Sequence, residues 1–199
     1  MLLVALNGSP RRCGNTARLL QHAMEAVAGP GIETQMVHVS WALEDQDNPF
    51  CRQCSDPCQG KCWRGKRLEQ AYATLFRADA LLVGSPVYFG TLSGQLKAFW
   101  DKSRVLRRQY ALLNVVGGAL AVGSSRFGGQ EDTLRAIHEI MLVHGMTIVG
   151  DGYWEEDCGH HGACAQKPAQ ADAQALERAA VLARRAVELA AATMGLRHR

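Results

Sequence analysis

Met1-Leu2-Leu3-Val4-Ala5-Leu6-Asn7-Gly8-Ser9-Pro10-Arg11-Arg12-Cys13-Gly14-Asn15-Thr16 decides the fold. Residues 2–6 are an unbroken apolar run, the pattern of a strand covered on both faces. The run stops at the turn residues Asn7 and Gly8. Residues 15–28 then read as a helix, with Leu20, Ala23, Met24 and Val27 on one stripe and Gly29-Pro30-Gly31 as its stop. A buried strand feeding a helix through one short loop is the opening half of a parallel crossover unit.

The same alternation continues outward. Residues 32–39 read as a second strand and 80–83, closed by Gly84, as a third. A fourth lies near 119–122 with 115 as an earlier start, and 147–149 form a short fifth. Helical spacing covers 68–76, 92–106, 134–141 and an alanine-rich stretch at about 170–194. Strict alternation of strand and helix predicts an α/β doubly wound parallel sheet in three layers, because right-handed crossovers leave few other arrangements. One domain is expected over residues 1–199, with a cysteine-rich loop insertion at about 44–65. In such sheets ligands sit beyond the carboxyl ends of the strands. That singles out residues 7–16, 84–90 and 123–131.

Composition narrows the function classes. Apolar residues make up 47% and charged residues 21%, which excludes a disordered chain. The net charge of +3 is spread rather than clustered, so no nucleic-acid partner is implied. The apolar start lacks a basic flank and no run reaches membrane-span length, so a cytoplasmic protein with no membrane partner is expected. Seven cysteines is an odd number, and four of them fall within twelve residues. That looks like ligation rather than a disulfide framework.

The first loop reads as a phosphate cradle. Its glycines let backbone N–H groups turn inward, the helix N-terminus adds partial positive charge, and Ser9, Asn15, Thr16 and Arg11 or Arg12 add donors. Neither the Walker lysine nor a G-x-G-x-x-G pattern is present. The second loop, Gly84-Ser85-Pro86-Val87-Tyr88-Phe89-Gly90-Thr91, offers a stiff aromatic edge for a flat heteroaromatic ring, although such aromatics also serve as local core. The third, Gly123 to Glu131, is glycine-rich and opens a helix.

These residues resemble the NAD(P)H-dependent FMN reductases of the flavodoxin-like fold, and within them the iron–sulfur flavoprotein branch. The resemblance rests on Gly8-Ser9-Pro10-Arg11 with Gly14-Asn15-Thr16, on Gly84 to Gly90 with Gln95-Leu96-Lys97 and Asp101, and on Gly128-Gly129-Gln130-Glu131. It implies a five-stranded sheet in the order 2-1-3-4-5. It implies that Ser9, Arg11, Asn15 and Thr16 hold the FMN phosphate, that Pro86, Val87, Tyr88, Phe89 and Gly90 line the isoalloxazine ring, and that Ser124 and Gly128 flank it. It implies hydride transfer from NAD(P)H to FMN, with no separate catalytic acid or base, and a homodimer or homotetramer. The acceptor is a small molecule such as a flavin, quinone, nitro compound or iron complex.

Cys51-x2-Cys54-x3-Cys58-x3-Cys62 is compact enough to wrap one metal centre. Three readings stand side by side: a [4Fe–4S] centre, structural zinc, or free redox-labile thiols. The iron–sulfur flavoproteins carry a similar run, with two residues rather than three between the second and third cysteines. Cys158 to Cys164, with His160 and His161, is expected to be a surface turn, and Cys13 a small filler. An FMN oxidoreductase therefore stands beside an electron carrier with FMN and a cluster, and beside a non-enzymatic redox or metal sensor. Plain flavodoxins are strongly acidic, which this chain is not.

Overall fold

The computed structural model describes residues 1–197. Strands β1 (Leu2–Asn7), β2 (Glu33–His38), β3 (Ala80–Pro86) and β4 (Val116–Gly123) lie parallel in the spatial order β2-β1-β3-β4. The next lane is shared by two short strands in succession. β5 (Thr147–Ile148) pairs with Val116 and Gly117, and β6 (Ala163–Gln166) pairs with the stretch from Leu120 to Gly123. The expected order 2-1-3-4-5 holds, but the fifth lane is broken by an excursion over residues 149–162. The stretch expected as a surface turn returns at its Cys164 end as a strand of the sheet.

Helices cover both faces. Alternate strand residues point to opposite sides, so Leu2, Val4, Leu6, Leu81 and Val83 share a core with α2 (Val39–Ala42), α3 (Arg67–Arg77), α4 (Gly94–Lys102) and α6 (Gln130–Val143). Leu3, Ala5, Leu82, Val116 and Leu120 meet α1 (Asn15–Glu25) and α7 (Ala173–Ala192). The single helix expected over 92–106 is two pieces, α4 and the short α5 (Arg104–Arg108), because the backbone of Ser103 leaves the helical region. The terminal helix starts later than 170, since Asp172 caps it by accepting from Ala175 N at 3.1 Å. No helix among the described residues is long and apolar enough to cross a membrane.

The excursion at 149–162 is tied down by charge. Asp151 is buried, accepts from His160 N at 2.6 Å, and pairs with Arg178 Nε of α7 at 2.6 Å. Arg178 Nη2 also donates to Asp151 O and to Asp157 Oδ1, both at 2.9 Å.

A half-buried histidine, His144, lies on the other face. His144 Nε2 meets Ser103 Oγ at 3.1 Å, and burial, with Arg107 nearby, pushes its pKa down to about 4 from 6.5. Between those values the unfolded chain binds more protons than the folded one, so stability falls as pH drops through 6.5 toward about 4. We expect acidification over that window to cost the wild type on the order of 1–3 kcal/mol more than it costs His144→Gln. Urea titrations at a series of pH values measure the difference; parallel pH profiles would remove His144 as the cause.

Candidate functional site

The three loops meet at the carboxyl end of the sheet. Gly8 makes that possible: its N–H donates to Gly84 O at 2.8 Å, and a Cβ there would come within 2.9 Å of Gly84 O and Leu96. Asn7, fully buried, shapes the first loop. Its Oδ1 accepts from Ser9 N at 3.0 Å, and its Nδ2 faces His38 Nδ1 at 3.0 Å. Burial, then the Arg12 charge, lowers the His38 pKa, which keeps the ring neutral and able to accept. Ser93 joins the second loop to the first. Its Oγ donates to Gly8 O at 2.6 Å and caps α4 by accepting from Leu96 N at 3.1 Å, while its N–H reaches Ser85 Oγ at 3.0 Å. Gln130 holds the third: Nε2 donates to Ser125 O at 2.6 Å and Oε1 accepts from Gly128 N at 2.8 Å.

A narrow hollow of about 90 Å³ opens between these loops. Ser9, Arg11, Asn15 and Thr16 line it from one side, Pro86, Val87 and Tyr88 from the second, and Ser124 from the third. Lys167, just past β6, lines it too. Sequence reasoning misses this lysine because β6, Ala163–Gln166, holds no branched or large apolar residue to mark a strand before it. Phe89, Gly90 and Gly128 lie off this lining. Phe89 and Gly90 form the loop tip with positive φ, Gly90 lies against Gly129, and Gly128 packs on Ser125. Val87, Tyr88 and Thr91 commit their backbone N–H groups to Val122 O, Thr91 O and Tyr88 O. Among the described residues the N–H groups of Phe89 and Gly90 have no such partner.

The hollow suits a phosphate ester. The N-terminus of α1 begins at Gly14, which has no side chain to cap it, and carries no acid in its first turn. Its first N–H groups are therefore left for an external anion. A Cβ on Gly14 would sit 3.2 Å from Arg11 Cβ and 3.7 Å from Ser9 Oγ, intruding on the cradle. The side chain of Asn15 accepts from Ala169 N at 3.2 Å, which leaves its amide hydrogens free to donate. A larger cavity of about 890 Å³ lies at the opposite end of the sheet, by Leu2 and Asp79, where no strand-to-helix loop converges.

The cysteine loop forms a separate pocket of about 430 Å³, bordered by Cys51, Cys54, Cys58 and Cys62. All seven cysteines are free. Burial raises the Cys62 thiol pKa, the Lys102 charge opposes that rise, and Cys58 and Cys54 add to it. Among the described residues no three His, Cys, Asp or Glu side chains are drawn close enough to hold a metal ion. The donor set still fits a soft metal centre, and a metal site of this kind commonly forms as its ligands close on the metal.

An open parallel sheet of order β2-β1-β3-β4-β5 with an uncapped helix at its carboxyl rim defines a flavodoxin-like α/β protein. The solved WrbA-like flavodoxin from Agrobacterium tumefaciens shares that fold at a TM-score of 0.68, with 21% identity, covering 96% of this chain and 97% of that one. Residues 1–161 match the NADPH-dependent FMN reductase family, and the chain belongs to it. An iron–sulfur flavoprotein of Methanocaldococcus jannaschii is 42% identical over 165 residues, 81% of each chain. One of Methanosarcina thermophila is 38% identical over 173 residues, 86% of each. The protein is thus an oxidoreductase that uses FMN and NAD(P)H.

Proposed function

We propose that this protein is an FMN-dependent NAD(P)H oxidoreductase whose cysteine loop also holds an iron–sulfur cluster, so that electrons enter as hydride and leave toward a small acceptor or one at a time. The observation that carries the reading is the pairing of an uncapped, acid-free helix N-terminus with Ser9, Arg11, Asn15 and Thr16 around one hollow. The four-thiol pocket offers ligands to either soft metal centre, and the iron–sulfur flavoproteins among the relatives favour the cluster over zinc.

FMN bound in this way supplies the redox chemistry, accepting hydride from nicotinamide, and the cluster supplies single-electron transfer. The chain's own work is placement. Arg11 and Lys167 bring positive charge to the phosphate end, and Asn15 and Thr16 donate hydrogen bonds there. Pro86, Val87 and Tyr88 form the wall against which the ring would lie. Phe89 and Phe127 stand fully exposed beside the mouth. We assign them to a face shared with a second copy of the chain, because exposed aromatic groups beside a site mark interaction surfaces. Sedimentation of the FMN-loaded protein reads the oligomer.

One visible spectrum of anaerobically prepared protein tests the core reading. Flavin bands that bleach on adding NADH or NADPH are expected, with broad absorbance beneath them from the cluster. Protein that stays colourless after incubation with FMN would end the assignment. Arg11→Ala should weaken FMN binding by about 1.5–3 kcal/mol, roughly 10- to 150-fold, the scale of a hydrogen bond to a charged group. Flavin fluorescence quenching measures it, and unchanged affinity would take Arg11 out of the site.

A further inference from the structure

Lys102 is the last residue of α4 and only 4% of it is exposed. Lysine is almost never buried to that extent without a charged partner, because desolvating an ammonium is costly. Here its Nζ donates to a neutral group, Gln46 Oε1, at 3.2 Å. Among the described residues no carboxylate lies within ion-pair distance of it. Two carboxylates border the same pocket, yet both are engaged elsewhere: Asp47 with Lys66 Nζ at 2.8 Å and Asp101 with Lys97 Nζ at 2.6 Å. Arg104 borders the pocket as well, and it too makes no ion pair among the described residues. The cavity that holds the four cysteines is therefore lined by three cations, Arg52, Lys102 and Arg104, against two carboxylates, and the Asp47 charge reaches Lys102 without forming an ion pair with it among the described residues.

We infer that Lys102 is the fixed counter-charge of the cysteine-bound cluster and sets its reduction potential. The inference rests on the cluster reading above. Four thiolates around an iron–sulfur core give a net negative unit, and adding one electron makes it more negative. A buried cation at the rim stabilises the reduced form more than the oxidised one, and in low dielectric that preference is large. Lys102 is a positioning charge: it ligates no iron and leaves the flavin hollow untouched. Gln46 holds its ammonium in place.

The test uses the anaerobically reconstituted full chain with FMN bound. Iron, acid-labile sulfide and flavin are assayed for wild type, Lys102→Met, Lys102→Gln and Lys102→Arg, and each is titrated stepwise with dithionite in the presence of mediators. Met matches the volume without charge, Gln keeps a donor for Gln46, and Arg keeps the charge. Removing the charge should disfavour one-electron reduction about tenfold, a fall of about 59 mV, with flavin content unchanged. Arg should stay within twofold of wild type. Loss of the cluster from the Met and Gln variants, with its retention by Arg, also supports the inference. Unchanged potentials in Met and Gln at full iron and sulfide would overturn it while leaving the cluster reading intact, and so would loss of the cluster from all three variants. A wild type that takes up no iron and sulfide would overturn both.

Discussion

Arg178→Ala is expected to lower folding stability by about 3–5 kcal/mol, the usual consequence of leaving a buried carboxylate without its partner. The carboxylate is Asp151, whose side chain is 2% exposed and meets Arg178 Nε at 2.6 Å. The same guanidinium also bonds the Asp151 carbonyl and both Asp157 carboxylate oxygens and pairs with Glu156 at 3.8 Å, so one truncation removes four hydrogen bonds and that ion pair between α7 and the excursion in the fifth lane. The damage should reach the cofactor hollow, because the excursion leads directly into β6, and β6 places Lys167 and Ala169. Chemical denaturation with and without FMN measures both effects. The double variant Arg178→Met with Asp151→Leu should recover much of the loss, since the uncompensated charge is then gone. A single variant as stable as wild type would show that the pair contributes nothing net.

Ser93→Ala is the second large effect, about 2–4 kcal/mol. A helix cap is lost at α4, and Gly8 O is left buried without its 2.6 Å donor. The expected signature is double: a lower denaturation midpoint, and weaker FMN binding because Gly8 begins the phosphate loop. Ser93→Thr, which keeps the hydroxyl, should restore most of both. If Ser93→Ala lowered stability while FMN affinity stayed at the wild-type value, the link between the two loops would be structural only.

What could be read from sequence follows from how each element is stabilised. Strands β1, β3 and β4 are continuous apolar runs, because both their faces are covered, and they stand out without tertiary information. Ala163-Cys164-Ala165-Gln166 does not. It has no branched or large apolar residue, and it is a strand because its register beside β4 makes it one. Its inside-outside alternation of small buried residues with Cys164 and Gln166 was the available signal. Ser9, Arg11, Asn15 and Thr16 were legible because a strand-to-helix loop is local in sequence. Ser93 was not, since its partners Gly8 and Ser85 lie on other loops, and neither were the contacts of Asn7 with His38 and of Gln130 with Ala165 across the fold. Lys102 was hidden for a different reason: at the end of a helix it reads as an ordinary favourable charge, and only its burial sets it apart.

The packing of α7 on α1 has a consequence for synthesis. One face of the sheet, built from Leu3, Ala5, Leu82, Val116 and Leu120, is covered jointly by Leu19, Leu20 and Ala23 from early in the chain and by Ala179, Leu182 and Ala183 from late in it. A chain still on the ribosome can assemble its first four strands and hide the opposite face, yet this side has only α1 to cover it until residues 163–192 emerge. Half-made copies therefore present a sticky apolar wall to one another. Chaperone capture of nascent chains should peak in that interval and end as the last turns of α7 settle.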